Sequence, residues 1–450
     1  GWGTPRTAPD AGVTRVTWDI PEAMLMLPPS WLCGSRVAGP QVPFYDHEFP
    51  SYDDRVRQYY PARRDDALTG NIADTYYSTP HAFYQLYVRT GDVDMFLAAR
   101  KEAIRYRDEE ILHEGPDRGR HRADPKTRYV YVEAMADDYL LTGDPRSLEV
   151  AKEMAEYLRR VFDPAKAFYP KGASNFWTER EVAFPFLGML TYYELSGDRE
   201  YLEAATQIMH NLHRLQSQWP GRGGFIHNLY AHDTEEGARP DEYGGSPFMT
   251  GLLLEPIIKY HRLTGSAEAA QSVFLALDWL MNETLTPQGD TFFYTTADAQ
   301  KSEGEHPDLN LLVAHAFAYG YRLSGYTRTD YRDVGIRVFQ RGLRDARLTD
   351  RKHFNQNYRS GGQFLAYLAD APRPGVPEED ARPAMPILEP LGDVLYTAGF
   401  EVTLDGWGAA SQQTALQRDG GTAYTGRGAL QVRAASGAGA VAARKPFPDW

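Results

Sequence analysis

Five short stretches decide how this chain is read: YVRTGDVDM (87–95), LLTGDPRS (140–147), YELSGDRE (193–200), HRLTGSAE (261–268) and YRLSGYTR (321–328). Each sets a glycine (Gly91, Gly143, Gly197, Gly265, Gly325) between an aromatic-rich apolar stretch and a more polar one. Glycine fits the left-handed position that ends a helix, and a following Asp, Ser or Pro starts the next. Helix–turn–helix units recurring in this way predict a repeat architecture.

Working outward from those turns, the helical period gives paired segments. Tyr77, His81, Tyr84, Gln85 and Val88 form one stripe, and Val93 to Ile111 is its half-exposed partner. Tyr129–Leu141 pairs with Pro145–Phe162, Arg180–Leu195 with Arg199–Leu215, Pro247–Leu263 with Ala267–Asn282, and Asp308–Leu323 with Thr329–Leu343. A sixth apolar helix is expected to begin near Ser360, with Asp53–Tyr60 as its outer partner. MTGLLLEPIIKY (249–260) and LNLLVAHAFAYGY (309–321) are apolar nearly all round, so they are expected to be buried on several sides. The expected fold is therefore mainly α: an (α/α) toroid of five to six helical hairpins, with a stacked solenoid as the competing arrangement. The short connections join inner to outer helices. The long ones, 112–128, 163–179, 217–246, 284–307 and 345–359, precede the inner helices and are expected to gather on one face.

The expected boundaries are an N-terminal wrapping arm at 1–73, the toroid at 74–370, a Pro-rich acidic linker at 371–390, and a partial β-sandwich at 391–450. A net charge of −13 argues against a general nucleic-acid binder, and no apolar run has the length of a membrane span. Cys33 is the single cysteine, which excludes an internal disulfide and Cys-based zinc sites; it reads as a small buried apolar side chain. The chain starts Gly1-Trp2-Gly3, as a processed or trimmed chain would.

Gly399-Phe400-Glu401, Asp405-Gly406-Trp407 and the run Tyr424 to Val432 look like the opening of a jelly-roll carbohydrate-binding module. About 60 residues is short for a two-sheet sandwich of about 100. Either the natural chain continues past Trp450 or another chain completes the sheet. With the helical repeat, this pattern resembles extracellular carbohydrate-active enzymes, namely α/α-toroid polysaccharide lyases and six-hairpin glycosidases. The resemblance implies a secreted or cell-surface protein acting on a polysaccharide or oligosaccharide, expected to be acidic. No cofactor is expected.

The long loops carry the candidate chemistry. Elimination from a uronate polymer needs a base, an acid toward the leaving oxygen, and groups that neutralise the carboxylate. GGFIHNLYAHD (223–233), SNFWTER (174–180), HFNQNYRSGGQ (353–363) and RGRHRADPKTRY (118–129) supply such residues. His227 or Tyr230 is the candidate base and Tyr358 or Tyr243 the acid. Asn175, Asn228 and Arg180 are the neutralisers. Trp177, Trp219, Arg128, Tyr129, His81, Asn357 and Arg359 are candidate substrate-binding residues. A glycoside hydrolase would instead use two carboxylates, and Glu133 and Glu179 lie near starts of inner helices. Asp137-Asp138 offers an alternative general acid, because an acid buried there needs a partner or a raised pKa. His227, His232 and Asp233 are the one weak metal-ligand grouping; no metal is expected. The third reading is a non-catalytic glycan-binding or assembly ring.

Overall fold

Four of the repeated glycines end their helices in the left-handed region, with φ of 69° at Gly91, 72° at Gly143, 70° at Gly197 and 66° at Gly265. Each amide there donates to the carbonyl four residues back. Asp92, Asp144 and Ser266 then accept from the first free amides of the next helix. In the computed structural model the described residues are 27–70, 75–124, 126–162, 178–218, 223–228, 243–296 and 304–371. Short strands lie at 6–7, 16–17, 414–419, 429–434 and 441–442. Two compact units contain them, residues 33–382 in one and residues 1–32 with 383–450 in the other.

The larger unit is helical. After α1 (Pro29–Ser35) and α2 (Pro50–Thr69) come α3 (Thr79–Thr90), α4 (Val93–Arg105), α5 (Val132–Thr142), α6 (Pro145–Val161) and α7 (Glu179–Ser196). Then follow α8 (Arg199–Gln218), α9 (Pro247–Thr264), α10 (Ala267–Trp279), α11 (Leu311–Leu323), α12 (Thr329–Asp345) and α13 (Arg351–Ala369). The inner helices α3, α5, α7, α9, α11 and α13 each pack on the next, and α13 packs back on α3, so the ring closes. Helix α2 lies on the outside against α4, with Tyr52 against Phe339 of α12 and Arg55 bonded to the Ala346 carbonyl. It thereby supplies the outer layer at the seam. In this unit the Cys33 thiol donates to the Val88 carbonyl, and burial pushes it up to about 12.

The outer helices run close to the expected spans, and the starts of several inner helices differ. Outer helices α4 and α10 each end in a single π-helical turn, at Tyr106–Glu110 and Leu280–Thr284, which re-aims the chain into a long loop. Helix α13 begins at Arg351, more than two turns before Ser360, so HFNQNYR is helical rather than loop. Its amides and guanidinium are buried, which is why an apolar-periodicity reading misses it.

The N-termini of the inner helices are tied to one another around one face. The Tyr77 amide donates to the Tyr131 hydroxyl, Thr127 to Glu181, and the Ser246 amide to Glu179; Asn355 reaches Tyr76 and Thr79. The ring is tight between α9 and α11, where a Cβ on Gly251 would lie 2.4 Å from the Leu312 carbonyl oxygen. Gly251→Ala is expected to cost about 1–3 kcal/mol by overpacking, read as a lowered midpoint in denaturant unfolding.

In the smaller unit, Thr414–Asp419, Ala429–Ala434 and Val441–Ala442 form one antiparallel three-stranded sheet. A second sheet facing it, as a sandwich requires, is not among the described residues. The linker expected at 371–390 lies outside them apart from Ala371.

Candidate active site

A ring of six apolar helices would be expected to fill its axis with hydrocarbon, yet this axis is polar. Arg359, from α13, is fully buried and crosses the ring. Its Nη2 donates to Glu133 Oε1 of α5 at 3.3 Å and to Glu255 Oε1 of α9 at 3.2 Å. The guanidinium carbon sits 5.7 Å from the Phe184 ring centre on α7. Gln363, one turn on, donates to the same Glu255 oxygen at 3.0 Å. The two glutamate oxygens are therefore separated by no more than the sum of their distances to Nη2, about 6.5 Å. Arg359 Nε and Nη1 have no hydrogen-bond partner among the described residues. Buried donors left this way are costly, so such atoms mark a place where something else binds.

The second half of the cluster is a dyad. His81 Nδ1 lies 2.6 Å from Asp137 Oδ2. Gln85 Nε2 donates to the Arg359 carbonyl at 3.2 Å and meets His81 Nε2 at 2.9 Å. That amide orientation makes Nε2 the acceptor and puts the His81 proton on Nδ1, facing Asp137. Burial pushes the Asp137 carboxyl up, and His81 pulls it only partly back. Burial alone would also raise Glu255, but Arg359 and His315 outweigh it and hold that carboxyl below its usual range. His315 of α11 faces the same cluster; burial drives it down to about 4, so it is neutral near pH 7. Two carboxyls whose surroundings push them apart are the pattern of an acid and a base. Glu133 and Asp137 lie one turn apart on α5, so both face the axis.

Local strain fixes the dyad. Tyr77 and Ser78, just before α3, have φ of 63° and 64°. Consecutive non-glycine residues in the left-handed region persist only where the surroundings enforce them. Here the Tyr77 amide is held by Tyr131, and the turn delivers His81 to the axis.

At the mouth, Tyr76 stacks on Tyr129 with ring centres 4.7 Å apart at 26°. Arg128 lies 5.7 and 5.5 Å from those two ring centres, and Lys352 lies 5.8 Å from the first. Arg180 is buried nearby and bonded to Tyr77.

The other sequence-derived candidates fall elsewhere. His227 and Glu179 are fully buried and joined at 2.6 Å between α7 and α9. Residues His227–Asn228 pair antiparallel with Tyr243–Gly244. Glu179 thus ties that ladder to the start of α9 through the Ser246 amide. Tyr358 turns away from the axis toward α2: it stacks on Phe354 and Tyr52 and accepts from Arg89. Asn357 donates to the Arg347 and His353 carbonyls. Asp138 faces outward to Tyr84, Arg100 and Ser147, so of the adjacent aspartates only Asp137 meets the axis. Asn175, Trp177, Trp219, Tyr230, His232 and Asp233 lie outside the described residues. Sequence reading passed over Glu255, His315 and Gln363. For two of them the signal was a polar residue within an apolar run, Glu255 in MTGLLLEPIIKY and His315 in LNLLVAHAFAYGY.

Residues 96–243 match the family model described as β-L-arabinofuranosidase, GH127 catalytic domain. That segment includes Glu133, Asp137 and Arg180 but not Glu255 or Arg359. No curated protein matches the chain. Among solved structures, the chain is similar to a polysaccharide lyase, with TM-score 0.50 and 11% identity over 72% of this chain and 98% of that one. It is also similar to the unsaturated glucuronyl hydrolase of Bacillus sp. GL1 (TM-score 0.47, 12% identity, 65% of this chain and 84% of that one). An α-1,6-mannanase of Salegentibacter sp. HEL1_6 gives TM-score 0.44 and 16% identity over 66% and 90%. At these identities the likeness is one of fold: the helical unit shares the architecture of that polysaccharide lyase.

Proposed function

We propose that this chain is a carbohydrate-active enzyme that hydrolyses a glycosidic bond at the mouth of its polar axis. The observation that carries the reading is the buried cluster of Glu133, Asp137, Glu255, His81 and Arg359, gathered from four inner helices where packing alone calls for hydrocarbon. Asp137, whose carboxyl burial pushes up, is the acid that donates to the leaving oxygen in this reading. Glu133 or Glu255, each paired with Arg359, activates the attacking water. The match to a glycosidase catalytic domain over residues 96–243 supports this reading. A glycan polymer does not cross a membrane unaided, so we also place the enzyme outside the cell; fractionation with activity confined to the cytoplasm would overturn that placement.

Elimination is the second reading. The phenols of Tyr76 and Tyr77 beside Arg180 favour it, because they offer a base next to a carboxylate-neutralising cation. A panel of polysaccharides separates the two. Hydrolysis releases new reducing ends without near-ultraviolet absorbance, whereas elimination produces both. A panel in which neither signal appears would leave the ring as a glycan-binding module.

A further inference from the structure

We propose that the edge of the Tyr76–Tyr129 stack is a subsite for a sugar unit bearing an anionic group, carboxylate or sulfate, held by Arg128 and Lys352. The proposal rests on the reading that glycan is cleaved at this mouth and names the kind of sugar bound there.

Four separate segments converge to build the subsite. The strained turn before α3 gives Tyr76 and Tyr77, the loop before α5 gives Arg128 and Tyr129, α7 gives Arg180, and α13 gives Lys352. The chain as a whole carries −13, so three cations around one pair of rings is a local reversal of sign. Glu181 Oε1 lies 3.9 Å from Arg128 Nε, beyond hydrogen-bond reach, and Glu110 is already engaged by Thr75, His121 and Arg105. Arg128 Nε and the nearly fully buried Arg180 Nε have no hydrogen-bond partner among the described residues, and Lys352 has no ion pair among them. Packing two tyrosines needs no such cations. Tyr76 is buried between Tyr77 and Tyr129, so the accessible part is the edge of the half-buried Tyr129, where a planar guanidinium and a mobile ammonium suit the anionic substituent of a sugar laid along that edge.

Binding is the direct test, because it does not depend on turnover. D-glucuronate, glucose 6-sulfate and D-glucose are titrated by calorimetry at low ionic strength into the wild-type chain, the Arg128→Gln/Lys352→Gln double variant and Asp137→Asn. At least one acidic sugar should bind tenfold or more tightly than glucose. The tighter of the two identifies carboxylate or sulfate as the recognised group. The double variant should lose that preference while keeping its unfolding temperature, and Asp137→Asn should keep it. The proposal is overturned if glucose binds as well as both acidic sugars, if no acidic sugar binds, or if the double variant retains the preference. A fully active Asp137→Asn enzyme that still prefers acidic sugars would instead reject the acid–base reading and leave the subsite standing.

Discussion

Asp137→Asn is expected to lower kcat about 1,000-fold, within the 10²–10⁴ range for a positioned general acid, with little change in KM. The amide matches the carboxyl in shape and can still meet His81, so the helix and the dyad remain in place. What it loses is the transferable proton. Thermal unfolding near the wild-type temperature, together with unchanged substrate binding, would establish that the loss is chemical. Wild-type turnover in this variant would remove Asp137 from the mechanism. The same assignment fixes a pH profile. With Glu255 as the base, the acid and base carboxyls, Asp137 and Glu255, are displaced upward and downward from their usual values. The acid limb of kcat/KM is thus expected below the ordinary carboxylate range and the alkaline limb above it. In Asp137→Asn the residual activity should lack the alkaline limb.

The largest expected loss of stability comes from Asp53→Ala. Asp53 and Arg89 are both fully buried, joined at 2.7 Å. Arg89 further donates to the Val42 carbonyl and Tyr358, and lies 4.5 Å from the Phe44 ring centre. Asp53 also accepts from the Tyr45 amide and His47. Removing the carboxylate strands a buried guanidinium, which costs about 3–5 kcal/mol. Asp370→Ala, which breaks the exposed pair with Arg322, should cost less than about 1 kcal/mol. Comparable unfolding midpoints for the two variants would contradict this account. Burial opposes ionisation of Asp53, but His47, Arg89 and the Tyr45 amide outweigh it, so its folded-state pKa lies below 3.8. Its stabilisation is complete above that ordinary value and is lost as pH falls through the lowered one. Unfolding temperature should therefore drop in acid more steeply in the wild type than in Asp53→Ala.

Much of the ring was legible because its signals are local. A glycine after an apolar helix and a capping side chain after the glycine mark each hairpin without tertiary knowledge. The start of α13 was not legible, since Asn355, Gln356, Asn357 and Arg359 are polar side chains that are nonetheless buried, where the usual correspondence between burial and hydrophobicity reverses. Site residues divided the same way. Glu133, His81, Arg359 and Asp137 stood out as polar groups near inner-helix starts or within inner helices. Glu255 and Gln363 became visible only when Arg359 was seen to cross the ring. Tyr358 and Glu179 were plausible in type, but which side of a helix a residue faces depends on its neighbours in space. Neighbours set both Tyr358 against α2 and Glu179 against His227.

The seam closed by α2 has a consequence for biosynthesis. Arg55 waits for Ala346, and Tyr76 for Asn355, across separations of 291 and 279 positions. At about 5–20 residues per second on the ribosome, that delay is roughly 15–60 seconds. Through that interval the nascent chain exposes the apolar flank of its first hairpin, a surface suited to a chaperone, and the circle is sealed only when its last inner helix emerges.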